Sequence, residues 1–451
     1  MSVRVSLKRN VLAAALAAGL MLQANSASAL SLIQAYEAAL RNDPTYRSAL
    51  HENEAGQQYK VLGRAHLLPT VGATYSRSKN RADVTVPVLG QSVTTHPEYD
   101  SSSSAVTLRQ PLLNLEGIAR YRQGVAQTSY SDAQFSVKSQ DLVLRLVGAY
   151  ADAKFAEDQL ALAQAQRDTL SEQNKVNERM FQKGEGTRTD MLETQARLDV
   201  AEAQLLEARN NVTTARNMLA AIVGEEVSQL DSLSEDFRVR PMMPADFDEW
   251  KAVALANNNE IAAQRYAVEV AQQEISKSRA GHAPRIDFVA SYNKADSETI
   301  TTRNQDTTSR VVGVQVNIPL YSGGSVNAAS SQAVANHLRA KSDLDAKTNQ
   351  VLVELRKQYH QVVSSAAKID AMVKAVDSAR ALVRATEQSV KGGVRINLDV
   401  LNAQQQLYTA RRDLAQARYN YLISYLRLRF AAGTLNAEDL HRVAGYFVAS
   451  R

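Results

Sequence analysis

The chain has 451 residues, of which 45% are hydrophobic and 22% charged, and its formal net charge is +5. It contains no cysteine, which excludes disulfide bonds, thiolate metal ligands, a thiol nucleophile and a lipidated N-terminal cysteine. The small positive charge does not indicate nucleic acid as a partner.

The first predicted element is an export signal. Three basic residues precede the apolar run 11–22, and an A-x-A site ends at Ala29. This pattern is typical of a secretory signal peptide, here residues 1–29, rather than of an ordinary amphipathic helix. The signal contains no acidic residue, so its removal leaves a net charge of about +2. No apolar run in the mature sequence approaches ~18 residues, so any membrane insertion has to use β-strands.

The rest of the chain is predicted to be an internal duplication with an offset of 209 positions. The segment TDMLETQARLDVAEAQLLEARNNV begins at Thr189 and matches LDVLNAQQQLYTARRDLAQARYNY, which begins at Leu398. Each segment follows a Gly-rich turn and has an aspartate in second place. We therefore predict a first repeat, a linker, a second repeat and a C-terminal segment, at 30–224, 225–250, 251–433 and 434–451.

Each repeat is predicted to hold three helices with heptad patterning. Leu198, Ala201, Leu205 and Ala208 are spaced 3, 4, 3, and the residues 209 positions later keep this register. Such Leu/Ala seams are typical of closely packed coiled coils, although a plain soluble bundle has the same periodicity. The predicted helices are 32–66, 117–182, 189–222, 246–281, 325–390 and 398–431. The two long ones would each span roughly 100 Å, and two short helices end to end match one of them.

Between the first and the long helix of each repeat, the periodicity changes to two. Val312, Val314 and Val316 alternate with Gly313 and Gln315, for example. Alternation over about 10 residues is typical of tilted membrane-spanning strands, although hairpins on a soluble protein show it too. We predict four strands, with a polar, turn-rich loop inside each pair, at 69–80, 101–112, 284–298 and 309–320. Four strands cannot close a barrel in lipid, so copies of the chain have to complete the wall: a dimer would supply eight strands and a trimer twelve.

The sequence carries no catalytic constellation. The seven histidines are scattered, and there is neither a phosphate-binding G-x-x-x-x-G-K-[ST] loop nor a G-x-S-x-G motif. The SAAK at 365–368 lies within a heptad helix and lacks the motifs that accompany it in penicillin-recognising enzymes. We expect no enzymatic activity, no catalytic residue, no metal site and no cofactor.

Two segments resemble the TolC family of outer-membrane channel-tunnels. GGVRINLDVLNAQQQLYTARRDLAQARYNYLISYLRLRFAAGTLNAEDL at 392–440 is similar to the family's C-terminal repeat, and KGEGTRTDMLETQARLDVAEAQLLEARNNVTTARNMLAAIVG at 183–224 is similar to its N-terminal repeat. The resemblance covers nearly all of the mature chain. It implies a mixed α/β membrane protein, in which a long antiparallel α-helical coiled-coil barrel continues into a transmembrane β-barrel. The subunit would supply four strands and a homotrimer 12.

The resemblance also implies a cellular location and a function. The protein would lie in outer-membrane lipid of a Gram-negative bacterium and extend into the periplasm. It would conduct an exported, unfolded polypeptide passively in type I secretion, with a periplasmic adaptor and an inner-membrane ABC transporter as partners. The type I exporters are the most similar branch, because the drug-efflux branch often carries the lipidated cysteine absent here. The alternatives are a duct for small-molecule efflux and, from another class, a periplasmic coiled-coil scaffold without membrane insertion.

The resemblance assigns a latch to residues beside the Gly-rich turns. In the family, an arginine in the second-repeat turn binds a Thr-Asp pair at the start of the first-repeat helix and holds the periplasmic mouth closed. The matching residues are Arg395, Thr189 and Asp190. A tyrosine that supports this latch in the family is replaced by Val390, so a weaker latch is expected. Without the resemblance, Arg395 reads as a solvated surface residue.

The resemblance also assigns a constriction ring and docking turns. The family carries two acidic rings near the mouth; Asp399 matches one, but the second position is Asn402, so a less anionic constriction is expected. A carboxylate favoured by the helix dipole is the alternative explanation of Asp190 and Asp399. Adaptor docking is expected at the glycines of the two turns, which also suit ordinary helix capping: Gly184, Gly186, Gly392 and Gly393.

Overall fold

The computed structural model describes residues 29–234, 236–297 and 305–448. The predicted signal peptide, apart from Ala29, therefore lies outside the described residues. The chain divides into two compact units, and three helices contribute residues to both: the second, the third and the seventh along the chain. Among the described residues, the first unit comprises those within 29–49, 137–258 and 350–448, and the second comprises those within 50–136 and 259–349.

Helices account for most of the described chain. Their bounds are α1 Leu32–Asn42, α2 Pro44–Ala65, α3 Leu115–Gln182, α4 Arg188–Val223, α5 Phe247–Asn257, α6 Asn259–Arg279, α7 Ser325–Lys391, α8 Asn397–Ala431 and α9 Ala437–Ala444. The heptad positions Leu198, Ala201, Leu205 and Ala208 are buried in α4, as the coiled-coil pattern predicts.

The predicted continuous helices 32–66 and 246–281 are wrong, because each is interrupted. Pro44 lacks an N–H and disfavours helical geometry in the residue before it, so Asp43 is extended between α1 and α2. Asn258 is extended between α5 and α6, and its side-chain amide donates to the carbonyl of Ala431 at the end of α8 (2.9 Å). This long-range bond leaves no trace in the hydrophobic periodicity.

The core of the first unit is built on large, fully buried side chains. These include Tyr150 and Leu146 of α3, Leu219 of α4, Trp250 of α5 and Leu428 of α8. The linker and the C-terminal segment also belong to this core. Within them, strand β5 (Ser232–Leu233) pairs antiparallel with β8 (Phe447–Val448).

The second unit contains a four-stranded antiparallel sheet. Its strands are β1 Thr70–Arg81, β4 Glu98–Leu113, β6 Arg285–Ser297 and β7 Gln305–Asn317, in the order β1-β4-β6-β7. The register aligns an apolar row across one face, with successive partners Val71, Leu108, Ala290 and Val312. Val71 and Val312 are 70% and 72% exposed, so this face has no cover within the described part of the chain.

The polar, turn-rich loop predicted between the first two long strands holds structure that the sequence analysis did not anticipate. It contains a second hairpin, in which β2 (Val84–Val88) pairs with β3 (Gln91–Thr95). The two-residue turn holds Leu89 and Gly90 at φ of 50° and 85°. Hairpin turns of this kind normally signal themselves by Asn-Gly or Asp-Gly, and Leu-Gly does not. In the corresponding loop of the second repeat, residues 298–304 lie outside the described residues.

Candidate functional site

The two Gly-rich turns have the same backbone structure. Gly184 donates its N–H to Phe181 (3.0 Å) and Glu185 donates to Met180 (2.9 Å). The residues 209 positions later repeat both bonds: the amide of Gly393 bonds to Val390 (3.0 Å) and that of Val394 to Ser389 (2.9 Å). These are the two bonds of a Schellman motif, which places the residue after the helix, here Gly184 or Gly393, in the left-handed region. Accordingly, φ is +75° at Gly184 and +72° at Gly393.

The other two glycines differ in their surroundings. A Cβ on Gly186 would lie 3.0 Å from the Cβ of Met180, so this position has little room for a side chain. Around Gly392 the nearest atoms would be carbonyl oxygens at 3.6 Å and 3.7 Å. The second turn also presents Val394 and Ile396, whose side chains are 82% and 61% exposed. The two turns therefore share a backbone but offer different surfaces.

The start of α4 is capped by Thr187, a residue that the sequence analysis missed. Its hydroxyl accepts from the backbone N–H of Asp190 (3.1 Å) and donates to the carboxylate of Asp190 (2.5 Å). The signal was present as the T-x-x-D spacing of a capping box. Thr189 lies between them and is exposed. The carboxylate of Asp190 is therefore already bonded inside its own helix start.

The start of α8 lacks this cap. Ile396 takes the position of Thr187 and has no side chain that can accept a hydrogen bond. Asp399 donates its N–H to the carbonyl of Ile396 (3.1 Å), and its carboxylate has no hydrogen bond or ion pair within the described residues. The side chain of Asp399 is half-buried.

The predicted latch residues do not meet within one chain. Arg395 is exposed, and among the described residues its side chain has no hydrogen bond or ion pair with Thr189, Asp190 or any other group. Asn402, the second ring position, behaves differently. Its Oδ1 accepts a hydrogen bond from Nη2 of Arg197 in α4 (2.8 Å), a contact that the sequence analysis did not anticipate.

Polar side chains connect the helices near the turns. Gln173 of α3 donates to Asn397 of α8 (2.5 Å), and Gln166 donates to Gln405 (2.6 Å). Arg197 also lies 3.3 Å from Glu193, four residues earlier in α4. In the described part of the chain, no cluster of three His, Cys, Asp or Glu residues is arranged to hold a metal ion. Likewise, none of the described helices has an apolar stretch suited to crossing a bilayer.

Comparison with known proteins shows which family shares this sequence. The model of the family described as "Outer membrane efflux protein" matches residues 35–225 and 250–434. The chain is similar to the alkaline protease secretion protein AprF of Pseudomonas aeruginosa, with 45% identity over 432 residues, 95% of this chain and 90% of the relative. It is also 40% identical over 431 residues to the proteases secretion protein PrtF of Dickeya chrysanthemi, covering 95% of this chain and 93% of that one.

A solved structure agrees in fold. The outer membrane protein VceC of Vibrio cholerae superposes with a TM-score of 0.76 at 18% identity, over 89% of this chain and 96% of that one. The resemblance to TolC-type channels is thereby confirmed, as is the outer-membrane location. Because the family model matches most of the sequence and a relative shares 45% identity over nearly all of it, the chain belongs to the outer membrane efflux protein family.

Proposed function

We propose that this protein is the outer-membrane duct of a type I secretion system and acts as a homotrimer. Three copies of the sheet would close into a 12-stranded barrel, and the helices would form a tunnel in the periplasm. The partners would be a periplasmic adaptor and an inner-membrane ABC transporter, which supplies the energy. The cargo would be an unfolded polypeptide that passes through passively.

The observation that carries this proposal is the four-stranded sheet. Within the described residues, β1 and β7 each pair on one side only, and one face exposes an apolar row. A free strand edge cannot face lipid, because its N–H and C=O groups have no partner there. Pairing of β7 of one copy with β1 of the next satisfies both edges and turns the apolar row toward the membrane. Support for protein secretion over drug efflux comes from AprF and PrtF, whose names state secretion of proteases.

Deletion of the gene tests the type of cargo. We expect the cell to lose a secreted protein from its medium while its susceptibility to drugs and detergents changes little. Normal secretion with increased drug susceptibility would instead support the efflux alternative.

The mass of the purified protein in detergent tests the barrel. We expect the mass of a trimer, and a monomer would contradict a barrel wall that is shared between copies.

We further propose that Arg395 of one subunit binds Asp190 and Thr189 of its neighbour and holds the mouth closed. Within the described residues, the side chain of Arg395 has no hydrogen bond or ion pair, and charge-assisted hydrogen bonds of this kind contribute about 1–3 kcal/mol each. Arg395→Ser is therefore expected to raise single-channel conductance in planar bilayers. Arg188→Ser, which removes an equally exposed charge at the start of α4, is the matched control. Equal conductance of wild type and Arg395→Ser would rule out the latch.

Asp399 is proposed as a cation-binding ring at the constriction. Threefold symmetry would bring three carboxylates together, and like charges at close range form an attractive site for multivalent cations. We expect Asp399→Asn to weaken block by a trivalent cation added from the periplasmic side. Asp370→Asn on α7 makes the same charge change away from the turns and should leave block unaltered. Similar effects of both variants would assign the block to general surface charge.

We propose the two turns themselves as the adaptor-docking elements. Within the described residues, a Cβ on Gly184 or Gly393 would meet no atom within 4 Å, so both positions are open to a partner. The exposed apolar side chains of Val394 and Ile396 make the second turn the stronger apolar contact.

A further inference from the structure

We propose that Arg197 is a gate-positioning residue, which fastens α8 to α4 through Asn402 and withdraws Asn402 from the constriction ring. This inference rests on the proposed function as a gated duct. The guanidinium of Arg197 donates from Nη2 to Oδ1 of Asn402 over 2.8 Å. The side chain is 31% exposed, and the same Nη2 atom lies 3.3 Å from Oε1 of Glu193 on the same helix. The bond joins the first predicted repeat to the second inside one subunit.

The apolar packing around this bond is thin. The buried apolar cluster here consists of Leu170, Leu198, Ala201 and Leu401. Beside it, a cavity of about 720 Å³ lies between α3, α4, α7 and α8, with Arg197 and Leu401 in its wall. Atoms that line a cavity lack dispersion partners on that side, so the helices are less firmly held together there. Polar bonds must therefore contribute a larger share of the attachment of α8.

Within the described residues, three hydrogen bonds between side chains attach this part of α8 to α3 and α4. Gln173 bonds to Asn397 and Gln166 to Gln405, and both bonds join neutral amides. The bond from Arg197 to Asn402 is the one of these three that involves a charged donor. Hydrogen bonds to charged groups are about twice as strong as neutral ones. Arg197 thus makes the one charge-assisted attachment of the three, and we expect its loss to free the start of α8.

The same contact gives Asn402 a role other than that of a ring residue. A carboxylate at this position in an open ring would face ions in the channel. Here the side-chain oxygen is engaged by Arg197, so the position serves attachment rather than ion binding. The two roles predict opposite results for Asn402→Asp. As an attachment, the new carboxylate forms an ion pair with Arg197, which it shares with Glu193, so its charge is largely offset at close range. As a ring residue, it adds three uncompensated charges to the trimer.

A double-mutant cycle in planar bilayers separates these roles. We expect Arg197→Gln to raise single-channel conductance at least about twofold, because the start of α8 is released. Asn402→Asp alone should change the affinity for a blocking trivalent cation by less than about twofold. The double variant Arg197→Gln/Asn402→Asp should tighten block by about tenfold, because its carboxylates are no longer neutralised. Tenfold tighter block by Asn402→Asp alone, or unchanged conductance of Arg197→Gln, would overturn the proposal.

A second measurement does not require a working channel. Amide hydrogen exchange is followed on the detergent-purified proteins, with Arg209→Gln as the control for losing an exposed arginine from α4. Arg197→Gln should speed exchange by about tenfold at 397–410 and leave 419–431 unchanged. Equal exchange at 397–410 in both variants would overturn the attachment. A wild-type protein that forms no channel would contradict the proposed function while this test of Arg197 still stands.

Discussion

Replacement of Arg145 by Met is expected to lower the free energy of unfolding by about 3 kcal/mol. Arg145 donates from Nη1 and Nη2 to the two carboxylate oxygens of Asp43, over 3.0 Å and 3.1 Å. The side chain of Asp43 is only 3% exposed and sits at the break between α1 and α2. Removal of Arg145 would leave this buried carboxylate without its counter-charge. We take the lower end of the known range, since the side chain of Arg145 itself is 31% exposed.

Loss of circular dichroism during urea titration in one detergent measures this effect. Asp43→Asn/Arg145→Met should recover most of the loss, because no charge is then buried. Lys357→Met removes one partner of the exposed pair with Glu354 and should change stability by less than about 1 kcal/mol. If Arg145→Met and Lys357→Met lowered the free energy of unfolding equally, the burial of Asp43 would not explain the effect.

The difference between wild type and Arg145→Met should depend on pH. Burial acts to raise the pKa of Asp43, but hydrogen bonds from Arg145 and from the Tyr46 backbone outweigh it, so the pKa is lowered. A lowered pKa contributes stability that is fully present above the unfolded pKa of about 3.9 and is lost as pH falls through the folded pKa. Without Arg145, burial dominates, the pKa rises and the carboxyl protonates more readily. The stability difference should therefore shrink as the pH falls from 7, and it should go on shrinking below about pH 4, where the wild-type carboxyl protonates.

Gly433→Ala is expected to cost about 3 kcal/mol or more. Gly433 follows α8 at a φ of +71°, and a Cβ there would lie 2.3 Å from the carbonyl oxygen of Asn257 and 2.5 Å from the Cα of Asn258. Both are backbone atoms at the break between α5 and α6, and the side chain of Asn258 is bonded to the end of α8. Because both atoms belong to the backbone, no side chain can move aside to relieve the clash.

Gly393→Ala is the matched control for this prediction. Gly393 has nearly the same φ, +72°, but a Cβ on it would meet no described atom within 4 Å. Only the left-handed backbone conformation then opposes the substitution, so we expect the free energy of unfolding to fall by about 1–2 kcal/mol. Urea titration of both variants compares them directly. If Gly433→Ala were no worse than Gly393→Ala, the close packing at Asn257 would not contribute to stability.

The local part of the candidate site could be predicted from the sequence. The glycines of both turns were recognisable because a left-handed residue after a helix favours glycine, whatever surrounds it. The T-x-x-D spacing that begins at Thr187 also predicts the helix cap, although the sequence analysis did not use it. The division into two repeats and the roles of Arg395 and Asp399 remain predictions, since they concern symmetry between repeats and subunits.

Hydrophobic periodicity by itself determined the long heptad helices and the alternating strands, because each depends on neighbours a few positions away along the chain. Only the tertiary structure decided which side chains join distant segments. It placed Asp43 against Arg145, Asn258 against the end of α8, and Asn402 against Arg197. A hydrogen bond between residues some 100 to 200 positions apart depends on where the helices come to lie, and a single sequence carries no local sign of it.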